Sequence, residues 1–204
     1  KTVLNSNVLL PSLISKYTVS DKNIFRLVAS KTLTRPKFNE LAPFQYTLYF
    51  AGVKAQGNPN LQNGENYNID FRYEHYPKPG ETVSIGGFYK YLDNPIEQTM
   101  RATASGQLMS FANANSANVA GVEFEYIKSL DFLVKEEKRD SSLLKYFGLG
   151  FNASYMFTQV QIDTLDGGAI NTNDRRPLEG ASPYLVNFDL RFQRKIGDRE
   201  KNKT

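Results

Sequence analysis

From Asn66 to Glu74 the chain reads Asn, Tyr, Asn, Ile, Asp, Phe, Arg, Tyr, Glu. Successive side chains of a strand point to opposite faces. Tyr67, Ile69, Phe71 and Tyr73 therefore share one face, and Asn66, Asn68, Asp70, Arg72 and Glu74 share the other. The same alternation recurs at Phe25, Leu27, Ala29 and Leu33, at Val83, Ile85, Tyr89 and Tyr91, and at Val122, Phe124 and Tyr126. It returns at Leu149, Phe151, Ala153, Tyr155 and Phe157, and again at Val186, Phe188, Leu190 and Phe192. A weaker stretch covers residues 9–17. A period of two, sustained this often, predicts an all-β chain. Its apolar positions are rich in Tyr, Phe, Val and Ile, which suit a pleated, half-buried surface. Helical candidates are short: residues 37–41, and the charged run 134–146, which reads as a solvated turn.

The predicted strands at residues 65–76, 82–98, 119–133, 148–162 and 184–195 exceed the ~5–6 residues usual in globular proteins. They reach the ~9–11 residues that a tilted strand needs to cross a bilayer. The connections between strands alternate. A tight turn near residues 19–23, a Pro-Lys-Pro-Gly turn at residues 77–80 and a charged link at 134–147 are the shorter ones. Residues 34–65, 101–118 and 163–182 are longer and polar. In an antiparallel meander every second connection lies at the same end, so one end carries shorter links and the other long loops. Outer-membrane barrels have this asymmetry. Period-two patterning leaves the direction of the apolar face open: inward against a second sheet in a soluble sandwich, outward to lipid in a barrel. The long strands favour about eight antiparallel up-and-down strands that form a segment of a larger transmembrane β-barrel. A soluble extracellular β-domain that binds glycan or protein is the alternative.

Composition narrows the choice. The chain has 204 residues, 40% hydrophobic and 23% charged, enough apolar content to fold. Mean hydropathy is −0.47, and no run approaches the ~18 apolar residues of a spanning helix, so a helical membrane protein is excluded. Cysteine is absent, which removes disulfides, thiolate metal sites and Cys nucleophiles. The 25 basic residues behind the net charge of +4 are scattered, so no nucleic-acid partner is expected. The opening at Lys1, with neither Met nor a signal sequence, suggests a piece of something longer.

Catalytic chemistry finds no support. The single histidine, His75, stands at a predicted strand end, where an interfacial or turn role outweighs that of a base or ligand. Asp70 with Glu74, and Glu123 with Glu125, share strand faces and read as solvated lumen residues, not as a glycosidase pair. Asp163, Asp166 and Asp174 lie in a Gly-rich loop, but their spacing misses the EF-hand pattern. No catalytic residue, metal site or cofactor is expected.

Four short motifs, in order, carry a resemblance. Residues 23–43 read NIFRLVASKTLTRPKFNELAP, with Thr34-Arg35-Pro36 at a strand exit and Glu40-Leu41-Ala42-Pro43 after it. Gly57-Asn58-Pro59-Asn60-Leu61 leads into the Tyr67–Tyr73 alternation, followed by Tyr76-Pro77. Gly87-Phe88-Tyr89-Lys90 precedes Asn94-Pro95-Ile96-Glu97. Arg176-Pro177-Leu178-Glu179-Gly180-Ala181-Ser182-Pro183-Tyr184 runs into Asn187-Phe188-Asp189-Leu190-Arg191. With these motifs the chain resembles the barrel domain of TonB-dependent outer-membrane receptors of the Bacteroidetes type. Their Gly and Pro residues suit strand exits and loop turns.

The resemblance implies residence in the outer membrane and a share in TonB-energised uptake of a scarce nutrient, an iron chelate, a vitamin or a glycan. It implies that residues 1–204 are an internal part of a barrel of roughly 22 strands, with no plug, TonB box or closing strand. Implied partners are outer-membrane lipid, the plug and remaining strands of the receptor, TonB through that absent part, and a small-molecule or glycan ligand. Ligand contact is expected at the long-loop end, not at the turns near Asn23, Pro79 or Lys138. Groups available there are Arg35, Phe44, Tyr46 and Tyr49, then Arg101, Gln107, Asn113 and Asn115, then Asp174, Arg175 and Arg176, with no one of them singled out as a ligand residue.

Overall fold

A computed structural model describes residues 7–47, 52, 54–104, 106–135, 142–162 and 175–193. The alternating segments form β1 (Ser12–Ser20), β2 (Asn23–Thr34), β5 (Gly64–His75), β6 (Thr82–Asp93), β9 (Ser116–Ser129), β10 (Phe147–Gln161) and β12 (Tyr184–Phe192). Between them lie a helical turn α1 (Phe38–Leu41) and the short strands β3 (Gln45–Thr47) and β4 (Lys54–Gln56). The remaining elements are the hairpin strands β7 (Ile96–Thr103) and β8 (Gly106–Asn113) and the two-residue β11 (Arg175–Arg176). The long strands build one eight-stranded sheet in the order β1-β2-β5-β6-β9-β10, with β11 and β12 both pairing β10. All its pairings are antiparallel. A second sheet, β3-β4-β8-β7, stands at one end, with β4 parallel to β8. No helix among the described residues is long and apolar enough to cross a membrane, which leaves crossing to strands.

Register aligns the stripes across the wall. Leu27 pairs Phe71, Phe71 pairs Gly87, Gly87 pairs Val122, and Val122 pairs Tyr155. One residue along, on the other face, Arg26 pairs Arg72, Arg72 pairs Gly86, Gly86 pairs Glu123 and Glu123 pairs Ser154. The direction of the apolar face follows from exposure. Ile69, Phe71 and Phe188 are 47%, 50% and 69% exposed, whereas Glu74 and Ser84 on the opposite face are 7% and 3% exposed. A sandwich would bury the first set and expose the second, so the soluble reading fails. A 12-residue strand such as β5 or β6 is about 40 Å long, and tilted it spans the ~30 Å hydrocarbon core of a bilayer.

The conventional core lies elsewhere. Buried apolar residues are Ala55, Leu61, Leu108, Phe111, Ala114, Ala117, Val119 and Val160, all in the second sheet or at the strand ends nearest to it. Ala114, Ala117 and Val160 form a cluster against which Leu92, Ile162 and Leu178 pack.

The alternation of links holds. Turns at Ser20–Asn23 and around Pro77–Glu81, and the 3-10 segments Leu130–Leu133 and Leu143–Tyr146, lie at one end. The interior of the charged run expected as a turn, residues 136–141, lies outside the described residues. Three strand expectations change. The strand expected over residues 82–98 breaks at Asn94, whose φ of 52° turns β6 into β7. The polar stretch 101–118 is a hairpin, not a loop, because β7 and β8 pair from Ile96↔Asn113 to Thr103↔Gly106. The first strand starts at Ser12 and runs to Ser20, later than residues 9–17. Exposed on both faces at the sheet edge, it lacks the packing that would have sharpened its pattern.

Candidate functional site: the polar rim and the charged inner wall

The motifs that punctuate the sequence converge at the long-link end. Gly57 sits so close to α1 that a Cβ would come within 2.5 Å of Ala42 N and 2.6 Å of Asn39 O. Only glycine allows the segment 57–61 to lie there, and Asn58 N then donates to Glu40 O at 2.6 Å. Gln56 Nε2 donates to Pro43 O at 3.1 Å, and Asn58 Nδ2 reaches Phe111 O in β8 at 3.0 Å. Asn113 is fully engaged: Nδ2 donates to Gln62 O at 3.0 Å and Asn94 O at 2.9 Å, and Oδ1 accepts from Gln62 N at 2.8 Å. Leu178 N donates to Thr158 Oγ1 at 3.0 Å, which seats the last motif on β10. These Gly, Pro and Asn residues therefore build a platform in which neutral amides replace a large apolar core.

The platform holds an open polar cavity of about 570 Å³. The segment 56–62 lines one side, β8 and Asn115 just before β9 the other, with Asn94 and Arg101 between them. Among the described residues Arg101 is the one ionisable side chain in the lining, and no aromatic ring takes part. Its Nε is buried without a hydrogen-bond partner. Glu97 lies four residues earlier on the same face of β7, but Arg176 Nη2 holds it at 2.8 Å and also donates to Gln98 O at 3.2 Å. Burial pushes the Glu97 carboxyl above the ordinary glutamate range; Arg176 opposes that rise and Glu179 adds to it.

The inner wall carries a second polar array. Arg26 Nε donates to both carboxylate oxygens of Glu74 at 3.0 Å, and Tyr76 Oη donates to the same carboxylate at 2.9 Å. Arg72 lies 3.5 Å from Glu74, donates to Ser84 Oγ at 2.9 Å and pairs with Glu125. Such side-by-side charges satisfy one another on a water-facing wall, where each ion pair adds little alone. Asp70 and Glu123 share this face, so the carboxylates expected in the lumen are there. Among the described residues no group of three or more His, Asp or Glu is placed to hold a metal ion. Asp163, Asp166 and Asp174 lie outside the described residues.

The expected contact residues scatter. Arg101, Asn113 and Asn115 line the cavity, while Arg176 pairs with Glu97. Arg35, Phe44, Gln107 and Arg175 are exposed at the same end without entering the cavity, and Tyr46 Oη donates to Asn39 O at 3.4 Å. Tyr49 and Asp174 lie outside the described residues. His75 is the last residue of β5 rather than part of a turn: its Nδ1 lies 2.8 Å from Asn23 Oδ1, which also accepts from Tyr73 Oη at 2.8 Å. Sequence reasoning missed Gln56, Asn60, Gln62 and Asn94 as lining residues. Amide-rich segments around Gly and Pro read as turns, and only the parallel pairing of β4 with β8 brings them opposite Arg101.

Comparison with known proteins agrees with this geometry. No relative among curated proteins matches the sequence. Solved structures share the fold. The ferric enterobactin receptor PfeA of Pseudomonas aeruginosa, in complex with enterobactin, superposes with a TM-score of 0.59 at 17% identity, over 91% of this chain and 26% of that one. The siderophore receptor PirA of Pseudomonas aeruginosa gives 0.56 at 18% identity, over 74% of this chain and 29% of that one. PirA of Acinetobacter baumannii gives 0.56 at 16% identity, over 90% and 26%. The chain thus spans between a quarter and three-tenths of the length of these receptors. The model of the β-barrel of TonB-dependent receptor-like proteins matches residues 2–199, and the chain belongs to that family of outer-membrane barrels.

Proposed function

We propose that this chain is one wall of an outer-membrane receptor of the Bacteroidetes type, which takes up a scarce nutrient with energy delivered through TonB. The observation that carries the reading is the inverted exposure: Phe71 and Ile85 face outward while Glu74 and Ser84 are covered on the inner face. Such a wall is stable in lipid and encloses a wet lumen. The long-link end, with its polar platform, faces the outside and meets the nutrient first, and the short turns face the periplasm. Energy coupling needs a plug and a TonB-contacting segment, which belong to other parts of the receptor. The whole receptor, of which this chain is a part, transports and does not catalyse. The structural neighbours, a ferric enterobactin receptor and siderophore receptors, support an iron chelate as one candidate nutrient, beside vitamins and glycans.

Deleting the gene for the full-length protein should abolish growth on one nutrient supplied at limiting concentration. Restoring the protein without its TonB-contacting segment should not rescue that growth. Recovery of the full-length protein in the aqueous phase instead of the outer-membrane fraction would overturn the reading.

A further inference from the structure

The platform cavity has a chemical bias of its own. Among the described residues its lining brings together amide groups, Ser110, the apolar patches of Pro59, Leu108 and Ala112, one cation and no carboxylate. Glu97, on the same face of β7, is occupied by Arg176 at 2.8 Å. The Arg101 guanidinium is thus left uncompensated, with its Nε buried in the wall and unpartnered. Asn113 has its hydrogen bonds committed within the protein. The side-chain amides of Asn60, Gln62, Asn94 and Asn115 make no hydrogen bond to another described residue and remain available as donors and acceptors.

We propose that this cavity is a capture subsite for a small polyhydroxylated oxyanion, with Arg101 pairing the anionic group and the free amides reading the hydroxyls. The inference rests on the receptor reading for its biological use, although the binding chemistry stands on the cavity alone. A guanidinium pairs with carboxylate or phosphate through charge-assisted, often bidentate hydrogen bonds, and amides match the donor and acceptor pattern of neighbouring hydroxyls. Among the described lining residues an aromatic chelate would find no ring to stack on. The small apolar patches suit the C–H faces of a sugar-sized molecule. A sugar acid and a sugar phosphate share the required chemistry.

The test uses the purified full-length receptor in detergent, titrated calorimetrically with glucuronate, glucose 6-phosphate and glucose. A hydrogen bond to a charged group contributes about 1.5–3 kcal/mol, so one or both anionic sugars should bind at least about tenfold more tightly than glucose. The tighter of the two identifies the anionic group. Arg101→Met should bring the anionic sugars down to the affinity of glucose, while Arg101→Lys should keep a preference for them. Equal binding of all three sugars, or an unchanged preference in Arg101→Met, would overturn the proposal. Heat-modifiable mobility on gels confirms that both variants remain folded barrels. A preserved anion preference in a receptor whose deletion leaves nutrient uptake unchanged would sink the receptor reading and leave the subsite standing.

Discussion

The wall and the platform are built from the same chain by opposite rules. In the wall, strands β2, β5, β6, β9 and β10 expose Leu27, Phe71, Tyr89, Val122 and Tyr155 on one face and cover Glu74 and Ser84 on the other. In the platform, Ala55, Leu61, Leu108 and Phe111 are buried while Asn60, Gln62 and Asn115 are exposed. Each region obeys its own solvent. An outward Phe in the wall loses nothing to lipid, whereas a buried Phe in the platform is held by exclusion from water. The difference shows that side-chain exposure has meaning only once the surrounding medium is known.

The sharpest way to break this comparison is the same truncation in both regions. Phe111→Ala should destabilise the platform by about 3–5 kcal/mol, read as rapid proteolysis of the loops in an otherwise intact barrel. Phe71→Ala should cost less, about 1–2 kcal/mol in bilayers, because it loses transfer into lipid but leaves no cavity in the protein. Equal losses at the two sites would mean that the wall's apolar face is buried by protein.

A charge discriminates next. Val122→Arg, outward in the middle of the band, should cost about 2–4 kcal/mol in a bilayer folding assay. Asn152→Arg, on the inner face beside Glu125, should change it by well under 1 kcal/mol. Reversal of that order would invert the assignment of lumen and lipid.

A smaller effect concerns packing on the inner face. A Cβ on Gly121 would come within 2.5 Å of the Phe88 ring and 2.7 Å of the Tyr155 backbone oxygen. Gly121→Ala should cost about 1–3 kcal/mol, and Phe88→Leu in the same protein should recover only the part due to the ring, because the Tyr155 carbonyl stays in place. The coupling is measured by a double-mutant cycle in the folding assay.

The smallest effect is a pH dependence of the platform. Burial holds the Glu97 carboxyl above its ordinary value, so its folded state binds the proton more tightly than the unfolded chain. That contribution is fully present below the unfolded value and is lost as pH rises through the raised folded value. Protease protection of the β7–β8 hairpin should therefore weaken slightly as pH rises out of the acidic range. In Glu97→Gln, which keeps an acceptor for Arg176 without a charge, this step should disappear. An unchanged step in that variant would assign it to another group.

Much of the wall was legible because its physics is local and repetitive. Ile69 and Phe71 announce a strand face by their spacing, and strand length with alternating links points to a membrane barrel. The Gly-Asn-Pro-Asn-Leu segment was legible as a turn, but its docking was not. Gly57 is needed because Ala42 and Asn39 lie against it, and that contact joins segments fifteen or more residues apart. The β7–β8 hairpin escaped for a related reason. Polar residues interrupt the apolar ones on both faces, Gln98 between Ile96 and Met100 and Ser110 between Leu108 and Ala112, so neither face has the stripe that a single solvent boundary imposes.

The sequence by itself determined the strands of the wall, the order of their links and the chemical identity of each face, because period-two alternation needs no distant partner. Tertiary structure decided where those faces point and where the buried core lies. It also brought Arg101 to a cavity of amides drawn from four separate segments. Direction depends on what covers a face, and a cavity depends on strands such as β4 and β8 meeting in parallel. Neither is a property of any one stretch of chain.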